Sequence, residues 1–349
     1  MNTYFLDPTT DPRWLTLVET HPAASSFHHP GWFRALQETY GYRMVVITTA
    51  PPGEALRDGL PLGLVRSVLT GRRVVSVPFA DHCEPLTGDP ETLQALIRAA
   101  NDFARKNRCR LSEFRPVTPW SAEFAAAAGV GPGFRAILHQ LNLSPDLDTL
   151  FKGFHDSSIR RNIRKAEREK LRYEAGSSDK LLDDFFALTV MTRRKHRLPP
   201  QPRAWFGKLL KTLPGIAKIH VSYHGEIPTA ANFTCAFRGR YIYKYGASDP
   251  AYTNLGGTPL LFWRAIQEAK EAGYSWFDMG RTDIGHEGLA TFKQRWGAEA
   301  ATLEYYRCPA PTQASVGHDG IIKLLEPVFA RLPDRLLIAT GKLFYRHIG

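Results

Sequence analysis

The sequence predicts a mixed α/β (α+β) protein built from two units of similar size, and three observations carry that expectation. Helix-like and strand-like runs alternate along the chain instead of segregating into one class. The 349 residues suffice for about two domains. With 43% apolar and 11% aromatic residues the chain can bury a core, which excludes a disordered or collagen-like polypeptide. No segment repeats at solenoid or propeller spacing.

The elements follow in order. Phe27 to Tyr40 reads as a helix, with Trp32, Phe33, Leu36 and Tyr40 at helical spacing. Tyr42 to Ala50, Gly59 to Leu69 and Arg73 to Val77 read as strands. Thr92 to Asn107 is an amphipathic helix with Leu93, Leu96, Ile97, Ala100 and Phe103 on one face, and a strand starts at Leu111. A stretch of low structure at Leu143 to Asp148 marks the boundary, giving units over 1–145 and 146–308 and a helical tail over 309–349. The second unit opens with Ser158 to Arg172, read as one basic helix with seven Arg or Lys against two Glu. A helix over Lys180 to Lys195 is acidic at its start and basic at its end, as the helix dipole favours, and Pro199-Pro200 stops it. Strands are expected at Ile216 to His224, Thr229 to Phe237, Tyr241 to Ala247 and Ser275 to Met279, with helices over Thr258 to Ala272 and Leu289 to Arg295. The tail, Ile321 to Ile348, alternates apolar residues with Lys and Arg. It reads first as a helical tail packed on the second unit, with a helix lying on a membrane surface as the other reading.

Charge and cysteines narrow the classes. The net charge of +11 points to an acidic partner such as phosphate, nucleotide, nucleic acid or anionic lipid. No run approaches the roughly 18 apolar residues of a spanning helix, and the opening MNTYFLDPTTDPRW lacks the pattern of a secretory signal. Cys83, Cys109, Cys235 and Cys308 are widely spaced, so neither a zinc ribbon nor a disulfide framework is expected, and a cytoplasmic protein with reduced thiols is the default.

Four constellations could carry chemistry. In YIYKYGASDPAYTNLGGT an aromatic strand with Tyr243 and Tyr245 leads through Asn254 to Gly256-Gly257-Thr258 at a helix start. Backbone N–H groups there suit an anion such as a pyrophosphate, or form a plain capped turn. In FDMGRTDIGHEGLATFKQRWGA a strand delivers Asp278, a loop carries Arg281, Asp283, His286 and Glu287, and Lys293 lies on the next helix. Either this is a reactive loop or Asp278 and Arg281 form a structural ion pair and Lys293 is solvated. ADHCEPL, with His82, Cys83 and Glu84 adjacent, reads as a polar loop more readily than as a metal or cysteine site, and His28-His29 reads as a helix-entry loop. No metal site is expected. Arg160, Arg164 and Arg168 at i, i+4 spacing form a stripe that could track phosphates or be a solvated face.

Three segments, LFKGFHDSSIRRNIRKAEREKL, YIYKYGASD…NLGGTPLLFWRAIQEAKEAGYSWFDMGRT and EGLATFKQRWGA, resemble the FemAB-type acyltransferases. That family includes bacterial peptidoglycan-bridge aminoacyltransferases and GNAT-like relatives, and the first half is more similar to the subgroup associated with extracellular polysaccharide clusters. The resemblance implies two tandem GNAT-like units sharing a cleft. It implies that the strands at Tyr241 to Ala247 and Ser275 to Met279 splay apart around the donor. Asn254 to Thr258 would sit where simple GNAT enzymes cradle coenzyme A, although the usual Arg/Gln-x-x-Gly-x-Gly/Ala is replaced by Thr253-Asn254-Leu255-Gly256-Gly257-Thr258. Phe292-Lys293 corresponds to the Phe-Lys pair that lies at the reaction centre of bridge-forming enzymes.

The expected activity is therefore transfer of an acyl or aminoacyl group from acyl-CoA or aminoacyl-tRNA, with no tightly bound cofactor. The acceptor would be an amine of a cell-envelope, polysaccharide or small-molecule compound. Lys293 would meet the oxyanion, Asp278, Asp249 or Glu287 would take the amine proton, and Tyr243 and Tyr245 would line the donor channel from one strand face. Arg160, Arg161, Arg164 and Arg281 would contact phosphate or acceptor. The protein would act in the cytoplasm, with tRNA or the inner membrane surface as further partners. The rival expectation is a non-catalytic module that holds anionic polysaccharide, lipid or RNA on its basic face.

Overall fold

The computed structural model describes residues 1–310 and 326–348 and resolves into two compact units. Both are mixed α/β, but they are discontinuous in sequence. The first comprises residues 1–136, 302–319 and 343–349, and the second residues 137–301 and 320–342. The cuts expected at 145 and 308 therefore fall inside units. The chain changes unit within the strand Gly131–Asn142 and again within Glu299–Cys308, two segments that the sequence reading left unassigned.

In the first unit β1 (Tyr4–Leu6), β2 (Arg43–Thr48), β3 (Leu60–Ser67), β4 (Gly71–Val75) and β5 (Leu111–Phe114) lie in that order. The late strand β12 (Glu299–Cys308) joins antiparallel to β5, pairing Tyr306 with Phe114 and Cys308 with Ser112. The helices α1 (Pro12–Thr20), α2 (Pro30–Tyr40), α3 (Pro90–Lys106) and α4 (Ala122–Ala127) accompany this sheet. Proline in the first turn of α1, α2 and α3 and the side-chain caps Asp11, His29 and Asp89 fix their starts. The core gathers Leu62, Val74, Leu96, Ile97, Phe114 and Tyr306.

The second unit orders β6 (Gly131–Asn142), β11 (Trp276–Asp283), β10 (Arg240–Ser248), β9 (Ile227–Phe237), β8 (Ala217–His224) and β7 (Arg172–Gly176). Its helices are α5 (Leu147–Gly153), α6 (Arg161–Arg168), α7 (Asp179–Lys195), α8 (Arg203–Thr212), α9 (Gly257–Glu271) and α10 (Glu287–Gln294). The low-structure stretch expected at Leu143 to Asp148 contains the start of α5, capped by the Asp146 carboxylate on the Thr149 N–H at 2.8 Å. Phe262, Trp263, Phe277 and Trp296 centre the core.

Two expectations need correction. The basic segment is not one helix: a π-turn over Asp156–Arg160 leads into α6, and β7 starts at Arg172. Ile159, Ile163 and Ala166 are buried at i, i+4, i+7, and Lys170 turns the chain at φ +52°. The tail is not wholly packed on the second unit. Residues 311–325 lie outside the described residues. After them, α11 (326–331) and most of α12 (Asp334–Phe344) belong to the second unit, while 343–349 belongs to the first. There Tyr42 Oη donates to the Tyr345 carbonyl at 3.1 Å and Thr70 Oγ1 to the His347 carbonyl at 2.9 Å.

The first unit buries one strongly coupled ionic group. Glu113 accepts from Arg115 Nε at 2.8 Å and from Arg307 Nε at 2.7 Å. Burial opposes its ionisation, and the two guanidinium ions outweigh this and hold the carboxyl down at about 2. A depressed carboxylate stabilises the fold above its unfolded value and stops doing so as pH falls through the folded one. Glu113→Gln should therefore lower stability at neutral pH by about 3–5 kcal/mol, because two buried cations lose their partner. In thermal melts the gap from wild type should close between pH 4.5 and about 2; a gap independent of pH would show that the carboxylate charge is not what matters.

Candidate active site

The site is built where two parallel strands part. β10 and β11 pair only at Arg240–Trp276, Tyr241–Phe277 and Ile242–Asp278. Beyond Ile242, β10 continues to Ser248 with β9 as its sole strand partner, so its β11-facing edge is left without a ladder. A bulge helps to part them: the β9 register shifts between Tyr243 and Tyr245, leaving Lys244 as the extra residue.

That bulge overturns the expectation that Tyr243 and Tyr245 share a face. Tyr243 continues the side of Tyr241 and packs on Phe262 of α9, ring centres 4.5 Å apart. Tyr245 points to the opposite helices, where it packs on Phe206 of α8 and accepts from Trp205 Nε1 at 3.0 Å. On that side a cavity of about 130 Å³ is lined by Thr192, Arg193, Gln201, Lys244, Tyr245 and Gly246. The Gln201 side-chain oxygen is buried there with no hydrogen-bond partner among the described residues. On the other side Tyr243, Phe262 and Phe292 form a continuous aromatic wall, Phe292 lying 5.4 Å from Phe262. Burial pushes the Tyr243 hydroxyl up to about 12, so it remains a neutral phenol.

β11 departs through a kink at Gly280, whose φ is +74°. Two of the expected catalytic residues hold this one glycine. The Asp278 carboxylate accepts the Gly280 N–H at 2.7 Å, and the Lys293 ammonium donates to the carbonyls of Gly280 at 2.8 Å and Arg281 at 3.0 Å. Both side chains are buried, Asp278 completely and Lys293 at 3% exposure. Lys293 is therefore not the solvated helix lysine that its spacing allowed. Arg281 pairs with Asp283 at 2.9 Å. Arg281 lies in the extended strand and not in a loop, because β11 runs four residues past Met279. Glu287 is exposed in the first turn of α10.

One neighbour was missed by sequence reasoning. His139 of β6 is buried beside Lys293, with Nδ1 3.3 Å from Thr282 Oγ1 and no partner for Nε2 among the described residues. Burial and the Lys293 charge lower its pKa to about 4, so the ring is neutral at pH 7. An isolated histidine in an alternating strand carries no motif, so nothing in its spacing could have selected it.

The glycine pair at the start of α9 serves close packing. Gly256 has φ +82°, and a Cβ there would collide with the Asn162 carbonyl of α6, while one on Gly257 would meet the hydroxyls of Ser222 and Thr229. Asn254 is exposed on the preceding turn and Thr258 is half-buried. In the first turn of α9 Gly257 is buried, Pro259 has no N–H, and the Leu260 N–H bonds back to the Gly256 carbonyl at 3.1 Å. The same contact sets α6 beside this turn. Its exposed basic side chains are Arg161, Arg164 and Arg168, so Arg164 and Arg168 of the expected stripe face outward, while Lys165 and Arg160, just before the helix, are half-buried. Arg160 pairs with Asp156 at 3.0 Å, and Arg164 lies over the Phe151 ring at 5.6 Å.

The family model described as an acetyltransferase (GNAT) domain matches residues 154–294, which contain β7 to β11 and the parting strands. The whole chain has the fold of FemX, with a TM-score of 0.71 at 14% identity over 93% of this chain and 100% of that one. It is also similar to the C-terminal domain of an Agrobacterium fabrum protein described as a lysylphosphatidylglycerol synthetase (TM-score 0.60, 16% identity, 91% and 95% coverage). A tandem GNAT protein from the clavulanic acid biosynthesis pathway matches at TM-score 0.55 and 14% identity, over 89% of this chain and all of that one. No curated protein matches the chain.

The remaining sequence constellation lies outside the matched residues. Cys83 is buried with Sγ 3.3 Å from His28 Nε2, which also donates to the Glu84 carbonyl at 2.8 Å. Burial raises the thiol well above its usual range and lowers His28 to about 4, so the pair is neutral and not a thiolate–imidazolium nucleophile. Among the described residues no three His, Cys, Asp or Glu side chains gather as metal ligands would.

Packing at the start of α9 predicts a large effect of a small change. Gly256→Ala should destabilise the fold by about 1–2 kcal/mol from backbone strain alone, and more from the collision with the Asn162 carbonyl. Chemical denaturation checks this, and an unchanged midpoint would show that α6 and α9 are not held at this distance.

Proposed function

We propose that this protein transfers an acyl or aminoacyl group from an activated thioester or ester donor to an amine, in the gap between β10 and β11. The observation that carries this reading is the three-pair ladder followed by the Lys244 bulge. An acyl carbonyl entering the gap would take hydrogen bonds from the unladdered β10 backbone, and those donors strengthen as negative charge develops on the oxygen. The amine nitrogen bonds to the carbonyl carbon, the C–S or C–O bond to the donor breaks, and the amine proton leaves. Of the three expected carboxylates Glu287, exposed in the first turn of α10, is the one assigned that proton, since Asp278 is engaged by Gly280 and Asp249 caps the Ala251 N–H at 2.8 Å. The thiolate or alkoxide leaving group is reprotonated from solvent.

A phosphate-bearing donor is favoured by the N-terminus of α9, which packs on α6 with its exposed Arg161, Arg164 and Arg168. Acyl-CoA and aminoacyl-tRNA both meet that requirement. Mass spectrometry of the protein incubated with labelled acyl-CoAs or charged tRNAs, together with an amine, distinguishes them. Transfer from one donor supports the proposal, and no transfer from any of them refutes it. One observation favours the non-catalytic alternative: Lys293 and Asp278 both spend hydrogen bonds on backbone. Anion binding without turnover would decide for that reading.

Within the proposed enzyme Lys293 is a positioning residue acting through the Gly280 and Arg281 peptides. Lys293→Met keeps the apolar stem and removes the ammonium. It should lower kcat by about 10²- to 10³-fold with donor KM nearly unchanged, alongside a measurable loss of stability from two unpaired carbonyls. A variant that is destabilised yet turns over at the wild-type rate would make Lys293 purely structural.

A further inference from the structure

We propose that the outer face of α12 docks onto an anionic bilayer surface. The helix has two opposed faces. Leu337, Gly341 and Phe344, at i, i+4, i+7, are buried, and Gly341 packs directly against the Pro200 carbonyl. The outward face carries Leu336, Ala339 and Leu343 at i, i+3, i+7, with Leu336 54% and Leu343 65% exposed. Beside this strip lie Arg335 and Lys342, both exposed and, among the described residues, in no ion pair.

Single exposed leucines are ordinary, but this face combines three features. Its two leucines share one strip. Its charged residues are all cations. The one carboxylate of the helix, Asp334, is turned aside and held by Arg194 Nε at 2.8 Å. Val328 on α11 is also 52% exposed, followed by exposed Arg331, and Arg346 is exposed just past α12. Apolar side chains flanked by cations match the boundary between acyl chains and anionic headgroups. A second copy of the chain fits this face poorly, because antiparallel two-fold pairing through it would bring Arg335 of one copy beside Lys342 of the other. No described helix is long and apolar enough to cross a membrane, so the contact is a surface one.

Co-sedimentation of the whole protein with vesicles tests the proposal independently of any catalytic step, so its failure leaves the acyl-transfer reading standing. The protein should partition onto mixed phosphatidylglycerol–phosphatidylcholine vesicles, be released by salt, and bind pure phosphatidylcholine at least about tenfold more weakly. Leu336→Gln with Leu343→Gln, both exposed and expected to fold, should reduce partitioning about tenfold or more, as should Arg335→Gln with Lys342→Gln. Unchanged melting temperatures would confirm that the variants fold. No partitioning of the wild type, or equal partitioning of the folded variants, would overturn the proposal. So would a doubling of mass in solution that the leucine substitutions abolish.

Discussion

The ladder between β10 and β11 stops after three pairs, and the arrangement of the candidate site depends on what keeps it from closing. Two adjacent parallel strands would ordinarily continue to pair, each further hydrogen bond adding about 0.5–1.5 kcal/mol. Both strands are deflected just where pairing ends. On β10 the extra residue Lys244 turns the chain so that successive tyrosines face opposite helices. On β11 the left-handed Gly280 is gripped at its N–H by Asp278 and at its carbonyl by Lys293. Replacing either side chain leaves a polar backbone group of the kink without its partner, which ties the geometry of the gap to two buried charges.

Two buried charges are matched by hydrogen bonds, and other cations are exposed. Glu113 sits between Arg115 and Arg307, and the ammonium of Lys293 is spread over two carbonyls. The surplus behind the net charge of +11 includes exposed side chains on α6 and α12. These are two separate basic faces, one beside the N-terminus of α9 and one beside exposed leucines. The first suits phosphates carried by a soluble donor, and the second suits headgroups.

Long periodic elements were legible in the sequence, and α3, α7 and α9 lie within a few residues of their expected bounds. β6 and β12 were not, because the reading looked for consecutive units, whereas strand pairing brings residues near 306 back to residues near 114. The Phe292-Lys293 pair was legible through family resemblance, but its geometry was not. Only the fold shows that Lys293 is buried against Gly280 and that His139, from a strand with no motif, lies beside it. The bulge at Lys244 was equally hidden: strict alternation predicts one face for Tyr243 and Tyr245, and a single inserted residue reverses it.

In the proposed reaction the acyl carbonyl lies in the gap, against the β10 backbone. A crystal structure with a non-transferable ketone analogue of the donor that supports turnover tests this most directly. The account predicts the analogue's carbonyl oxygen within hydrogen-bond distance of a backbone N–H between Tyr243 and Gly246, with the acyl chain against Phe292. An analogue bound elsewhere, with the gap still empty of its carbonyl, would contradict it.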